Sequence, residues 1–140
     1  MADATGFIQV PLGDTHEAVL LPEGEFEFIC GQPRETTNPE TNKSAVVVPL
    51  IVQDPPEGTT AEDYEEISHF INLPHNSDDE RTKRFKLRLM KRFFILFNIP
   101  FEGNGFNPSD IPGSSARCLV TRRTDKNNIP RNQISLPEFE

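Results

Sequence analysis

The chain has 140 residues, of which 35% are hydrophobic, and a formal net charge of −8 at pH 7. This length predicts one domain with its own core, and no apolar run approaches the ~18 residues that would predict a membrane span. Residues 1–80 hold 17 acidic and 2 basic side chains, whereas residues 81–140 hold 12 basic and 5 acidic ones. Because the charge is divided in this way, the acidic balance does not exclude a polyanion partner. The simpler alternative is a basic helix face that is only solvated.

Residues 1–22 predict an N-terminal arm, because Gly6, Pro11, Gly13 and Pro22 interrupt every apolar run. The first five residues have neither the basic region nor the apolar region of a secretion signal. We therefore expect a cytoplasmic location.

The first strand is predicted at residues 23–30, where apolar and acidic residues alternate. Residues 31–44 are polar and rich in turn formers, which predicts a long hairpin loop. Residues 45–52 are mostly β-branched and predict a second strand that is covered on both faces. Pro49 predicts a bulge or an edge in that strand, because proline cannot donate to a sheet.

A third strand is predicted over residues 65–73. Its alternation places Ile67, His69 and Ile71 on one face, which we assign to the core, and Phe70 on the opposite face. An outward Phe70 is a platform on which a nucleic-acid base can stack. The alternative is that Phe70 packs under the first hairpin or against a partner in a dimer.

One long helix follows this strand. Ser77 and Glu80 have the spacing of a capping box at its start, and Pro100 ends it. Apolar residues at helical spacing predict a buried stripe: Phe85, Leu89, Met90, Phe93, Phe94, Leu96 and Phe97. Lysine and arginine fill most of the remaining positions.

The last predicted elements are a hairpin and a tail. Strands are expected at residues 116–123 and 131–136, joined by a turn at 125–128 that tolerates left-handed conformations. Residues 137–140 form a short acidic tail.

Three strands, a helix and a two-stranded hairpin is the element order of the OB-fold. The predicted fold class is mainly β, a five-stranded OB-fold Greek-key barrel over residues 23–136, with one α-helix between strands 3 and 4. Other α+β folds share this order. In an OB-fold, the loops after strands 1 and 4 flank the ligand-binding face.

Several segments are similar, in pattern and order, to the small OB-fold single-stranded DNA-binding proteins encoded by bacteriophages. These segments are residues 22–28, 70–74, 94–100, 113–120, 125–128 and 132–134. The resemblance implies sequence-non-specific binding of single-stranded DNA in phage DNA replication or recombination, in the host cell cytoplasm and without a small-molecule cofactor. The chain departs from this family in having no tryptophan. Its acidic tail is also far shorter than in bacterial single-strand-binding proteins, so we do not expect the tail to recruit partners.

Binding of a single strand needs cations along the backbone and aromatic faces for the bases. The first hairpin loop supplies Arg34 and Lys43, and the third strand supplies Phe70. The remaining predicted site residues belong to the last hairpin: Arg117, Arg122, Arg123, Lys126 and Arg131. The alternative is that these hairpin arginines only confer solubility.

The residues do not predict an enzyme. His16, His69 and His75 have no zinc-ligand spacing with the two cysteines, and no catalytic or metal-binding residue is predicted. Cys30 and Cys118 lie in apolar strand-like segments, which predicts buried free thiols. The rival function is that of a non-enzymatic protein-interaction or structural adaptor with an OB-like fold. The charge division also predicts a homo-oligomer, formed between the acidic first half and the basic helix.

Overall fold

The protein is mainly β with one α-helix, in a computed structural model that describes residues 6–139 apart from the Asp14 side chain. Its elements are β1 Gly24–Cys30, β2 Arg34–Thr37, β3 Ser44–Val52, β4 Ile67–Asn72, α1 Glu80–Leu96, β5 Ser115–Thr124 and β6 Pro130–Ile134. Residues 1–5 of the predicted arm and Glu140 of the predicted tail lie outside the described residues. No helix in the described part of the chain is long and apolar enough to cross a membrane.

The strands form one antiparallel sheet in the order β2-β3-β1-β5-β6, and β4 also pairs with β3. β1 and β2 pair with different halves of β3: Cys30 lies beside Leu50, and Arg34 lies beside Val47. The prediction of a loop over residues 31–44 is therefore wrong for β2. Its two threonines suit an extended strand, and the sheet has six strands where the sequence predicted five.

The break between β1 and β2 lies opposite Pro49. The Gly31 N–H donates to the Pro49 carbonyl at 2.8 Å, and Pro49 has no N–H to give to the same edge. A Cβ at Gly31 would lie 2.9 Å from Pro49 Cγ, so the close approach of the ring favours glycine there. The interruption predicted from Pro49 is therefore present, on the edge of β3 that faces β1 and β2.

The side chains of β3 alternate between an inner and an outer face of the sheet. The inner face is buried and consists of Val46, Val48, Leu50 and Val52. On the outer face, Ala45 and Val47 are buried as well, whereas Ile51 is partly exposed. Coverage on both faces is therefore confirmed for the first half of β3 only.

Helix α1 is capped two residues after the predicted hydroxyl cap. Its N-cap is Asp79, whose carboxylate accepts from the Thr82 N–H at 2.8 Å. Ser77 instead pairs with Nδ1 of His75 at 2.7 Å. The capping-box prediction for Ser77 and Glu80 is wrong, because a carboxylate two residues closer to the helix occupies the capping position.

Only the second half of α1 has a fully buried stripe. Phe93, Phe94 and Phe97 are core residues, but Phe85 is 54% exposed. The prediction that the stripe is buried from its first residue is therefore wrong at Phe85. The helix ends at Leu96, well before Pro100, and Asn98 follows with a φ of 55°, as at many helix ends.

His69 of β4 joins the sheet to the helix. Its ring stacks on Phe93, with a centroid distance of 4.4 Å and an interplanar angle of 8°. Burial lowers the pKa of His69 to about 4, because the charged imidazolium loses its hydration there. The imidazole is therefore neutral at physiological pH, and β4 is held on α1 by an uncharged stack.

The end of the predicted arm is part of the core. Leu21 is 1% exposed. Its N–H donates to Oδ1 of Asn132 at 2.8 Å, and its carbonyl accepts from Nδ2 of the same side chain at 3.1 Å. Two residues earlier, the Val19 N–H donates to the Asp63 carbonyl, and the Val19 carbonyl accepts from the Glu65 N–H. The chain at residues 19–21 thus lies between the approach to β4 and the side chains of β6.

The two cysteines are free and buried, as predicted. Burial raises the pKa of both the Cys30 and the Cys118 thiol to about 12, so neither is a reactive thiolate at neutral pH.

Near the C-terminus, the Lys91 ammonium lies 4.8 Å from the centre of the Phe139 ring. The short tail therefore folds back along α1 in its described part.

Candidate nucleic-acid interface

A row of three residues crosses the outer face of the sheet. Arg34 of β2 lies beside Val47 of β3, and Val47 lies beside Phe70 of β4. Residues directly opposite in antiparallel strands share one face, so a guanidinium and a phenyl ring flank one aliphatic side chain. Phe70 is 51% exposed and Val47 is 2% exposed. The ring that the sequence predicted to point outward does so.

The face around this row has no charged side chain on β3 or on β4. Its outward positions, given by the register of the two strands, are Ala45, Val47, Pro49 and Ile51 of β3 and Ser68, Phe70 and Asn72 of β4. Small, aliphatic and amide side chains leave the Phe70 ring open to a flat ligand. A surface of this kind suits stacking, since it offers no carboxylate to repel a phosphate beside the ring.

Two other segments of the chain lie at opposite ends of β4. At one end, residues 38–43 adjoin the end of β4, where the Leu73 N–H donates to the Ser44 carbonyl. At the other end, Arg131 of the last hairpin lies 3.6 Å from Glu65, just before β4 begins. The first hairpin loop and the start of β6 therefore lie at opposite ends of β4, the strand that carries Phe70.

Lys43 is held by a buried carboxylate. Asp78, whose side chain is 1% exposed, accepts from Lys86 Nζ at 2.7 Å, and its other oxygen lies 3.3 Å from Lys43 Nζ. The Lys86 ammonium, with the His75 N–H as the next contribution, holds the Asp78 pKa well below its usual range. The cluster ties the first hairpin loop to the start of α1, and its one carboxylate is shared by two ammonium groups.

Arg122 binds a backbone carbonyl of the arm and faces away from Arg123. Its Nη2 and Nε donate to the Leu21 carbonyl at 3.1 Å and 3.4 Å. It pairs in register with Asn132, which contacts the same carbonyl. Both residues therefore hold the arm, on the face of the sheet opposite to Arg123.

Two further predicted cations are engaged by carboxylates. Arg117 Nη1 donates to Asp54 at 2.9 Å. The pKa of Asp54 is lowered, mainly because its carboxylate also accepts from the Glu27 N–H. Arg131 contacts Glu65 at 3.6 Å and Asp125 at 3.3 Å.

Three predicted cations form neither an ion pair nor a side-chain hydrogen bond with any described residue. Arg34, Arg123 and Lys126 are exposed, and the structure places them at the edge of the β2–β3–β4 face and at the tip of the last hairpin. Asp125 shapes that tip: its Oδ1 accepts from the N–H groups of Asn127 and Ile129. The predicted site residues thus divide into three available cations, one aromatic ring and four cations with structural partners.

Sequence reasoning missed the Asp78 cluster and the Leu21–Asn132 pairing. Lys43 is 35 residues from Asp78 in the chain, and Leu21 is 111 residues from Asn132. No local spacing signals such pairs. Within residues 6–139, no group of three His, Cys, Asp or Glu side chains is arranged to hold a metal ion.

No protein-family model matches the chain, and no curated protein matches it.

Proposed function

We propose that the protein binds single-stranded DNA without sequence preference, on the β2–β3–β4 face. The observation that carries the proposal is the row of Arg34, Val47 and Phe70 across three adjacent strands. Any base has a face that can stack on an exposed phenyl ring, and a guanidinium beside that ring can contact the phosphate of the stacked nucleotide. Neither contact involves the hydrogen-bonding edges of the base, so binding would not depend on the nucleotide sequence.

We infer that the sheet is an OB-type barrel. β1 and β2 together act as its first strand, because both pair antiparallel with β3, one after the other along the strand. β4 and β6, the outermost strands of the sheet, are in contact. The arm at Leu21 supports closure, since its peptide group pairs with the Asn132 side chain of β6 while Val19 pairs beside β4. The β2–β3–β4 face is then the outer wall on which OB-folds bind oligonucleotides.

The proposed path of the strand runs between the first hairpin loop and the last hairpin. Phe70 stacks one base at the middle of the face, Arg34 contacts a phosphate at its edge, and Arg123 and Lys126 contact phosphates near the hairpin. OB-folds that bind in this way cover about 4–16 nucleotides. No catalytic group and no cofactor takes part. The resemblance to phage single-strand-binding proteins makes DNA replication or recombination the proposed setting.

Three phosphate contacts give a defined salt dependence. For single strands, the logarithm of the binding constant falls with the logarithm of salt concentration by about 0.7 for each phosphate neutralised. With Arg34, Arg123 and Lys126 as the contacts, the expected slope is about −2 by the same rule.

The second candidate is a protein-binding adaptor, and the ion pairs formed by the predicted site cations favour it. Arg117, Arg131 and Lys43 are each engaged by carboxylates, which leaves less positive charge for a phosphate backbone than the sequence suggests. The uncharged β2–β3–β4 face would then take an extended peptide with an apolar side chain against Phe70. Its binding would change little with salt.

Fluorescence anisotropy separates the two candidates. The ligand is a labelled oligo-dT of about 30 nucleotides, longer than the expected site, beside duplex DNA of the same length. The proposal predicts tighter binding to oligo-dT than to the duplex, weakening with salt at a slope near −2. No binding to oligo-dT at low salt would reject DNA binding and leave the adaptor.

A further inference from the structure

Helix α1 carries a basic ridge on its outer side, formed by Arg81, Arg84, Arg88 and Lys91. These residues recur every three or four positions, so they project from one side of the helix. All four are exposed, and none forms an ion pair with any residue in the described part of the chain, although Lys91 contacts the Phe139 ring of the tail. The ridge lies on a helix, away from the proposed DNA-binding face.

The ridge also has an apolar component. Leu87 lies on one flank of the ridge and Ile95 follows Lys91 along it, and both are about half exposed. Exposed aliphatic side chains beside cations offer an acidic partner both apolar and charged contacts.

A surface of the opposite character lies where the chain approaches β4. It is a cavity of about 260 Å³ whose buried floor includes Leu21, Leu50 and Ile67. Carboxylates form its rim: Glu62, Glu65 and Glu66. Glu65 contacts Arg131, but Glu62 and Glu66 are exposed and pair with no described cation. We refer to this surface as the acidic-rimmed cavity.

We propose that the basic ridge of one copy docks on the acidic-rimmed cavity of a second copy. Each surface supplies what the other lacks: unpaired guanidiniums face unpaired carboxylates, and Leu87 or Ile95 meets an apolar floor. No ion pair joins the two surfaces within one molecule, over the residues described. The contact is head-to-tail, so repeated contacts build a chain or a ring of copies. This proposal is independent of DNA binding.

The test is sedimentation velocity of the whole chain, without DNA, over a range of concentrations. At about 0.1 M NaCl, where the Debye length is about 10 Å, the wild type is expected to self-associate; at about 1 M, where it is about 3 Å, association is expected to weaken. Absence of self-association at low salt, up to the solubility limit, would overturn the proposal.

Charge reversal makes the test specific. Arg84→Glu with Arg88→Glu, and separately Glu62→Lys with Glu66→Lys, should each abolish self-association, because like charges then face each other. An equimolar mixture of the two double variants should associate again, since the unchanged ridge of one fits the unchanged rim of the other and the two reversed surfaces also fit each other. Recovery in the mixture also shows that both variants are folded. Self-association unaffected by either variant would overturn the proposal.

The matched control is Arg123→Glu with Lys126→Glu, which reverses two cations outside both surfaces and should leave self-association unchanged. The competing occupant of the ridge is a nucleic acid. If Arg84→Glu with Arg88→Glu weakens binding to oligo-dT while self-association stays at the wild-type level, the ridge is a nucleic-acid surface and the proposal fails.

Discussion

The outer face of β2–β3–β4 and the hairpin of β5 and β6 differ in how their charges are used. On the first, one guanidinium and one exposed ring flank an aliphatic residue, with no carboxylate on the neighbouring outward positions of β3 and β4. On the second, Arg117 and Arg131 are paired with carboxylates and Arg122 binds the carbonyl of Leu21. A count of cations in the sequence therefore overstates what the hairpin offers to a phosphate backbone. The number of cations that are free to contact phosphates depends on the tertiary fold and is smaller than the number in the sequence.

The largest expected effect concerns the anchoring of β4, the strand that carries Phe70. Because the pKa of folded His69 is lowered to about 4, the unfolded chain binds a proton more readily. The contribution of neutral His69 to the free energy of unfolding is therefore fully present above pH ~6.5. It is lost as the pH falls from about 6.5 to about 4, which lowers the free energy of unfolding by up to about 3 kcal/mol. Urea titrations at several pH values measure it.

The variant His69→Phe keeps a ring against Phe93 and should remove this part of the pH dependence. His16→Asn, in the exposed part of the arm, is the control and should leave the dependence as in the wild type. If the free energy of unfolding of His69→Phe depended on pH as in the wild type, groups other than His69 would cause that dependence. Carboxylates with lowered pKa, such as Asp54 and Asp125, contribute only at more acidic pH.

The next effect distinguishes the two regions by function. Phe70→Ala should weaken oligo-dT binding by about 1–3 kcal/mol, the usual loss of one base-stacking platform, and should change stability little because the ring is half exposed. Leu119→Ala removes a comparably exposed apolar side chain from β5 of the hairpin and is the matched control. The measurement is anisotropy at one salt concentration. Equal losses in both variants would remove the distinction between the two faces.

A smaller effect separates binding from structure within the hairpin. Arg122→Ala should lower the free energy of unfolding by about 1 kcal/mol, because the Leu21 carbonyl loses a charged donor but keeps the one from Asn132, and should leave the salt slope of DNA binding unchanged. Thermal or urea unfolding tests the first part and anisotropy the second. A reduced slope with unchanged stability would place Arg122 among the phosphate contacts.

The smallest effects come from single phosphate contacts. Arg34→Ala, Arg123→Ala and Lys126→Ala should each reduce the salt slope by about 0.7. Arg117→Ala should reduce it less, since its guanidinium is shared with Asp54. Salt titrations of oligo-dT binding give these slopes. Equal reductions for Arg117 and Arg123 would show that ion pairing does not decide availability.

Local patterns predicted most of the sheet. Alternation placed Ile67 and Ile71 inward and Phe70 outward, and the β-branched segment identified β3, because the period of two follows directly from strand geometry. The same reasoning failed at β2, whose polar residues read as a loop. Those residues form a strand because β3 continues beyond β1 and offers them a free edge.

The candidate site was only partly predictable for a different reason. The sequence identified the available cations Arg34, Arg123 and Lys126, but also Arg122 and Lys43, whose partners are remote in the chain. Spacing of 101 residues between Arg122 and Leu21 leaves no periodic signal. Which cations are free is a property of tertiary pairing, and local sequence does not contain it.

The measurement that tests the central claim most directly is ultraviolet crosslinking of bound oligo-dT to the wild-type chain, followed by mapping of the modified peptide. A thymine stacked on the β2–β3–β4 face is expected to crosslink within β4, at Phe70, and the adduct should disappear in Phe70→Ala. Adducts confined to α1, or an adduct pattern unchanged by Phe70→Ala, would contradict the assignment of the binding face.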